Sequence, residues 1–523
     1  MLALVLALFS FPSLGEAKTF TDVPKSHAYY QQVNKMSELG VINGYGDGSF
    51  KPNNNISRAH VAVLLSRALE LKPIRQATTF SDVPKSHMYY NEIMALYRAG
   101  VVDGVNGKYN PSASLTRGQM AKILANAFGL QQQKTSQFKD VPLSHHFNPY
   151  VGALAANNIT TGYGDGTFKP NATLSRVHFS VFLYRAMYRN NPQMDVHFID
   201  VGQGDSIFIQ KPNGKNMLID GGTRSAGATV VSYLKSKNVS SIDYVVATHP
   251  DADHIGGLIS VFDAFQVKHF INSGKEHTTA TYEDLLAAAV KEGSAYTEPN
   301  AGATFQLDSG ISVQVLHANK NASDNNDASL VMKLMYDDVS FMLMGDASKE
   351  IETKIASQYN VNAQVLKAGH HGSNTSSGLN FMKKVDPLAV VLSYGKDNSY
   401  GHPHSEVLSA IKTVGASAFA TGGTGSVVVS TDGIIFSVNK KAMQTPGGST
   451  GGSTGGSTGG STGGSTGGSS GSTTPGIEVI PGAPTSFKNC TEMRKYYPNG
   501  VPSTHPAYDK KHDRDGDQWA CES

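Results

Sequence analysis

The chain has 523 residues, enough for several domains at about 150 residues each. It is 39% hydrophobic and 16% charged, with 54 glycines and a net charge of +2; its long alternations of apolar and polar residues exclude a fully disordered or collagen-like chain. No apolar run of about 20 residues follows the first 15 or so, which excludes a polytopic helical membrane protein.

Residues 1–17 read as a secretory signal peptide. The apolar run Leu2 to Phe9 is too short to span a bilayer, and Gly15-Glu16-Ala17 is a small-x-small cleavage site, although no Lys or Arg precedes the run. A mature, exported chain beginning near Lys18 is expected.

The next 175 or so residues repeat with a period near 60. The three units open with Phe20-Thr21-Asp22-Val23-Pro24, Phe80-Ser81-Asp82-Val83-Pro84 and Phe138-Lys139-Asp140-Val141-Pro142, each followed by a histidine: His27, His87, His145. A glycine-rich turn follows, Gly44 to Phe50 in the first unit and Gly162 to Phe168 in the third; the second departs, with Val105-Asn106-Gly107-Lys108-Tyr109. Ser57-Arg58, Thr116-Arg117 and Ser175-Arg176 then each open an apolar helix, the hydroxyl residue being a natural N-cap. This pattern resembles S-layer homology (SLH) repeats, here 18–73, 74–133 and 134–193. The resemblance implies an all-α trefoil of helix pairs that attaches to cell-wall polysaccharide, with Arg58, Arg117 and Arg176 at the ligand. The family's usual Thr-Arg-Ala-Glu reads Ser-Arg-Ala-His, Thr-Arg-Gly-Gln and Ser-Arg-Val-His. Residues 18–193 hold 19 basic and 9 acidic residues, a net of +10, which suits a polyanionic wall.

Residues 194–441 carry the chemistry, with 19 basic and 25 acidic residues, a net of −6. Strand-like segments open the region, and the strand Tyr244 to Ala247 runs into Thr248-His249-Pro250-Asp251-Ala252-Asp253-His254. Two imidazoles and two carboxylates within six residues suit a divalent cation, which removes the repulsion between the acids. Two further apolar strands end in Gly345-Asp346 and in Gly369-His370-His371-Gly372-Ser373, so potential ligands again sit at strand carboxyl ends.

With Asp200-Val201-Gly202-Gln203-Gly204-Asp205-Ser206 and Tyr400-Gly401-His402-Pro403-His404, this set resembles the metallo-β-lactamase superfamily, and within it the soluble hydrolase domain of ComEC-type competence proteins. The resemblance implies an α/β fold, an αββα sandwich, with two divalent ions, Zn²⁺ or Mn²⁺. His249 and Asp251 would hold the first and Asp253, His254 and His370 the second, with Asp346 bridging. His371 ranks below His370 and sits behind the ligands, as does Asp220, and His402 is a substrate or leaving-group contact. Asp253, His249 and His254 are the residues closest to the reaction, which is attack by a metal-activated water. Asp251 stands where a histidine is usual in the superfamily, and oxygen-rich sites admit Mn²⁺.

From Thr445 to Thr474 the chain is nearly all Gly, Ser and Thr; the span 442–484 is expected to be a flexible linker, with the low-complexity stretch extending about 30 Å root-mean-square. Residues 485–523 hold both cysteines, Cys490 and Cys521, an expected disulfide in an exported module; such a loop contributes roughly 3–4 kcal/mol. The ending Asp513-Arg514-Asp515-Gly516-Asp517 to Cys521-Glu522 resembles the Excalibur calcium-binding domain, which implies Ca²⁺ at Asp513, Asp515, Asp517 and Glu522.

The expected protein is therefore secreted, held non-covalently at the cell wall or S-layer, and a phosphodiesterase or nuclease acting on extracellular DNA. The alternatives are a hydrolase of wall teichoic acid or phosphocholine esters, a β-lactam hydrolase, and a non-enzymatic surface-layer protein.

Overall fold

The computed structural model of the chain describes residues 19–211, 214–308 and 310–443, together with 487, 490–493, 501–502, 511 and 519–520. The signal peptide, the linker expected from Thr445, Cys521 with its expected pairing, and the carboxylates Asp513, Asp515, Asp517 and Glu522 lie outside them. The described residues divide into two compact units, one within Met1–Ser457 and one within Thr458–Ser523. No described helix is long and apolar enough to cross a membrane.

Six helices come first: α1 (Tyr30–Glu38), α2 (Arg58–Ala68), α3 (Tyr90–Arg98), α4 (Arg117–Ala127), α5 (Asn148–Ala156) and α6 (Arg176–Met187). The repeat motifs have local causes. Ser57, Thr116 and Ser175 cap α2, α4 and α6 through their side-chain oxygens, and Thr116 forms a full capping box with Gln119. The aspartates of the opening motif tie down the glycine-rich turns: Asp22 accepts the amides of Phe50 and Lys51, Asp82 those of Tyr109 and Asn110, and Asp140 those of Phe168 and Lys169, all at 2.7–2.8 Å. His27, His87 and His145 each accept, through Nδ1, the amide two residues on, just before the next helix.

The repeats pair cyclically, α2 with α3, α4 with α5 and α6 with α1. The arginines are the joints. Arg58 Nε donates to Tyr109 O at 2.8 Å, Arg117 Nε to Phe168 O at 2.6 Å and Arg176 Nε to Phe50 O at 2.9 Å, each bond reaching another repeat. Their guanidinium groups lie over aromatic rings of the same turns, Arg117 over Tyr163 and Arg176 over Tyr45. Arg58 lies over Tyr109, which stands at the position of Phe168 and Phe50, the rings that also lie under Arg117 and Arg176.

The rest of the first unit has two sheets. Its strands are β1 (Met194–Phe198), β2 (Ile207–Gln210), β3 (Met217–Ile219), β4 (Ser241–Ala247), β5 (Gln266–Asn272), β6 (Ala295–Thr297), β7 (Thr304–Asp308), β8 (Ile311–His317), β9 (Val331–Tyr336), β10 (Val339–Leu343), β11 (Val365–Lys367), β12 (Ala389–Leu392), β13 (Ser417–Ala420), β14 (Val427–Thr431) and β15 (Phe436–Val438). Its helices are α7 (Gly227–Ser236), α8 (Ala252–Ile255), α9 (Leu258–Ala264), α10 (Ala280–Glu292), α11 (Lys349–Gln358), α12 (Leu379–Val385) and α13 (Ser405–Thr413). One sheet runs β15-β14-β1-β2-β3-β4-β5-β6 and the other β13-β12-β11-β10-β9-β8-β7. β3 to β6 are parallel, as are β10 to β13. The facing sides share one core, including Val196, Phe198, Ile209, Leu334, Phe341 and Val365. A second core lies under α7, α9 and α10, and a third under α11, α12 and α13. This is an α/β sandwich with helices outside both sheets, and the parallel strands that carry the site motifs deliver their carboxyl ends to one edge.

The helical repeats and the sandwich are joined by packing. Ile434 and Ile435, in the β14–β15 turn, pack on the helical core. Asp432 in that turn accepts the amides of Ile434 and Ile435, both at 3.0 Å, and the Tyr184 hydroxyl of α6 at 3.1 Å. Gln31 of α1 bonds both the amide and the carbonyl of Phe436. Replacing Asp432 with alanine leaves these donors unpaired, at a cost of about 1–3 kcal/mol. A full-chain denaturation midpoint lowered to that extent is the expected result; an unchanged midpoint would mean that the contact contributes nothing to stability.

In the second unit a short helix, α14 (Cys490–Met493), and an antiparallel pair, β16 (Val501–Pro502) with β17 (Trp519–Ala520), are described.

Candidate metal centre

The centre lies at the carboxyl edge of both sheets. β4 delivers His249, Asp251, Asp253 and His254; β3 delivers Asp220; β10 delivers Asp346; β11 delivers His370 and His371; and the segment after β12 delivers His402. Close backbone approach shapes this edge. A Cβ on Gly257 would stand 2.0 Å from the Gly221 carbonyl oxygen, and one on Gly204 would stand 2.2 Å from that of Asp253. Only glycine permits these turns to interlock.

Asp220 is buried with φ +59°, and its carboxylate is fully engaged. It accepts the Thr248 amide at 2.9 Å and the Thr248 hydroxyl at 2.7 Å, and pairs with His254 Nδ1 at 2.8 Å. That contact turns His254 Nε2 inward, where Asp346 Oδ2 and His371 Nε2 each lie at 3.3 Å. His371 Nε2 is in turn 3.3 Å from both Asp346 Oδ2 and Asp253 Oδ2. His249 and Asp251 form an adjoining pair at 3.6 Å, with Asn325 donating to Asp251 at 2.7 Å.

The order of the two adjacent histidines is the reverse of the sequence expectation. His371 stands in the cluster with its Nδ1 3.1 Å from the Ser393 carbonyl. His370 lies at its edge, Nε2 3.8 Å from Asp346, with Nδ1 2.9 Å from the Thr375 hydroxyl. Both have left-handed backbone, φ +47° and +56°, and this twist sends the two rings apart. Glu352 of α11 braces the loop, accepting the amides of Ser377 and Gly378 and the Ser376 hydroxyl. Burial pushes its carboxyl up to about 7.

Two participants were not singled out from sequence. Asp205 joins His254, Asp346 and His371 in a group whose ligand atoms all lie within 4.8 Å of one another. Lys367, wholly buried, pairs with Asp205 at 2.9 Å. The only sequence signals were the position of Asp205 in the first glycine-rich motif and that of Lys367 at the end of an apolar strand.

Burial alone would lower the basicity of His254 and His371, but the Asp346 carboxylate and their other acidic neighbours override it and hold both well above the usual imidazole range. Burial likewise opposes ionisation of Asp346, and the same two imidazoles override it, drawing its carboxyl well below the usual range. His249 Nε2 and Asp346 Oδ1 are buried without a hydrogen-bond partner. These unpartnered polar atoms, beside imidazoles and carboxylates packed within 4.8 Å of one another, are a donor set that suits a divalent cation. His402 is different: burial, then its histidine neighbours, pushes it down to about 4, so its ring is neutral at neutral pH. A cavity of about 160 Å³ opens onto the cluster, lined by Gln203, Asp251, Asp253, Asn326, Tyr400 and His402 among others.

Comparison with known proteins agrees with this architecture. Residues 199–395 match the metallo-beta-lactamase superfamily, residues 19–62, 79–121 and 137–179 match the S-layer homology domain, and residues 487–522 match the Excalibur calcium-binding domain. The chain is 32% identical over 255 residues to ComE operon protein 3 of Bacillus subtilis, covering 45% of this chain and 32% of that protein. It is 29% identical over 263 residues to competence protein ComA of Neisseria gonorrhoeae, covering 50% and 35%. It is 28% identical over 247 residues to the surface-layer 125 kDa protein of Lysinibacillus sphaericus, covering 45% and 21%. The chain thus spans only about a third or less of the length of these relatives. It carries three S-layer homology repeats, a metallo-beta-lactamase superfamily domain of the kind found in competence proteins, and an Excalibur domain.

Proposed function

We propose that this protein is exported, held at the cell wall by its repeats, and acts there as a metal-dependent phosphodiesterase on extracellular nucleic acid. The observation that carries the reading is the convergence of His254 and His371 on Asp346, each at 3.3 Å, with Asp253 3.3 Å from His371 and with buried unpartnered polar atoms beside them, on a cavity that opens to solvent. His249 and Asp251 would hold one divalent ion and Asp253, His254 and His371 a second, with Asp346 between them and His370 at the rim. Such ions, Zn²⁺ or Mn²⁺, supply Lewis acidity at the phosphorus centre and an activated water. Asp253 has a carboxylate facing the cavity and is suited to orient that water and take its proton. Asp220 holds His254 in register, and His402 contacts the substrate as a neutral ring. Likeness to competence proteins supports nucleic acid as substrate.

Arg58, Arg117 and Arg176 would meet an anionic wall polysaccharide at the repeat junctions. Asp513, Asp515, Asp517 and Glu522 would bind Ca²⁺ in the C-terminal module, stapled by Cys490 and Cys521. A second reading, hydrolysis of wall teichoic acid, draws on the S-layer repeats, which would hold the enzyme beside that polymer.

The test offers single-stranded DNA and purified wall teichoic acid to the full chain, stripped of metal and reloaded with Zn²⁺ or Mn²⁺, beside an Asp253→Ala chain. DNA cleavage that the substitution abolishes is expected. Cleavage of teichoic acid alone would transfer the function to wall remodelling, and no cleavage of either by metal-loaded protein would overturn both readings.

A further inference from the structure

We propose that Tyr400 is a stacking platform that selects an unpaired nucleobase at the mouth of the centre, so that single-stranded nucleic acid is the substrate class. The inference rests on the hydrolytic reading above and narrows it.

Tyr400 is 64% exposed and lines the cavity at the centre. Its ring lies nearly parallel to that of His402, with centroids 5.6 Å apart and planes at 21°. His402 in turn stands 5.8 Å from His370 and 6.2 Å from His371, so a ladder of rings runs from the cluster to solvent. Asn398 fixes the ladder's outer end. Its Oδ1 accepts the amides of Tyr400 at 3.1 Å and His402 at 2.9 Å, while its Nδ2 donates to the carbonyls of Gly395 and His402, both at 2.8 Å. With one face on His402 and the loop tied beneath it, the ring is presented to solvent already ordered, which reduces the entropy lost on binding.

Charge points the same way. Phosphate recognition normally draws on Lys and Arg. No lysine or arginine lines this cavity among the described residues, and residues 194–441 carry 19 basic against 25 acidic side chains. Beyond the divalent ions themselves, the side chains here offer a polyanion no ionic attraction, so further binding must come from contacts of another kind. Base–aromatic stacking supplies one and tolerates any base. A polyol-phosphate chain has no planar ring to offer, and in a duplex the base faces are hidden by their neighbours.

The experiment uses the full chain carrying Tyr400→Ala, Tyr400→Phe or Tyr400→Trp. KM and kcat are measured on a short oligothymidylate and on an abasic oligonucleotide of equal length. Binding of the same oligomers is measured separately by fluorescence anisotropy in the Asp253→Ala chain, with and without Tyr400→Ala. Loss of the ring should raise KM and Kd for oligothymidylate about tenfold, the effect of one lost stack. It should leave kcat within about twofold and the abasic values unmoved, while Phe and Trp retain the wild-type figures. Equal effects on both oligomers, or none on either, would overturn the proposal. If oligothymidylate binds in a Tyr400-dependent way but is not cut, the stack stands and the phosphodiesterase reading fails. If it is cut equally well with and without the Tyr400 ring, the phosphodiesterase reading stands and the stack fails.

Discussion

An Asp346→Asn chain is expected to retain less divalent metal than the wild-type chain and to fall on the order of 10³-fold or more in turnover, the scale on which removal of one member of a concerted catalytic group acts. The reason lies in how many partners meet at one carboxylate. Asp346 Oδ2 is 3.3 Å from His254 Nε2 and from His371 Nε2 and 3.8 Å from His370 Nε2, while its Oδ1 is buried without a partner. Asparagine keeps the volume and removes the charge that balances two imidazoles and any cation between them. Metal content measured on the purified full chain, beside its circular dichroism spectrum, separates loss of the ion from loss of the fold. Retention of a wild-type metal complement by the Asn variant would remove Asp346 from the ligand set.

The second large effect is expected at Lys367. Its side chain is wholly buried and meets the equally buried Asp205 at 2.9 Å, with a further bond to the Ala368 carbonyl at 2.7 Å. Replacing it with methionine preserves bulk but strands a carboxylate in the interior, which costs roughly 3–5 kcal/mol. The stranded charge sits beside His371, whose Nδ1 is 3.5 Å from Asp205, so metal retention should weaken as well. Chemical denaturation of the full chain reads the first effect. Adding Asp205→Asn should recover part of the loss, because it removes the unpaired charge that Lys367→Met creates. A double variant no more stable than the single would show that the penalty arises from packing.

These two residues divide what was legible in the sequence from what was not. Asp346 was evident because a single acid closes an apolar strand at Gly345-Asp346, and sheets build sites at such ends. Lys367 also ends an apolar strand, yet a lone lysine there signals nothing until Asp205, 162 positions earlier in the chain, is brought against it. The cluster His249 to His254 was recognisable from local density alone. The rank of His370 over His371 was not decidable from sequence: on a strand, adjacent side chains alternate in a known way, whereas here both residues adopt left-handed backbone and their directions depend on the packing around them. Asp220 was assigned a place behind the centre by family likeness, and its geometry, three contacts converging on one carboxylate, gives that place a physical cause.

The sequence by itself determined the repeat architecture, the capped helices, the strand-end motifs and most of the residues that meet at the centre, because each depends on neighbours a few positions away: a hydroxyl before a helix, an aspartate before a proline, an apolar run before a histidine. Only the tertiary structure decided which histidine enters the cluster, which buried lysine neutralises which acid, how Arg58, Arg117 and Arg176 stitch one repeat to another, and that Tyr400 stands open at the mouth. Those outcomes depend on contacts between distant segments, where burial raises the energetic stakes of charge pairing and leaves no periodic trace along the chain.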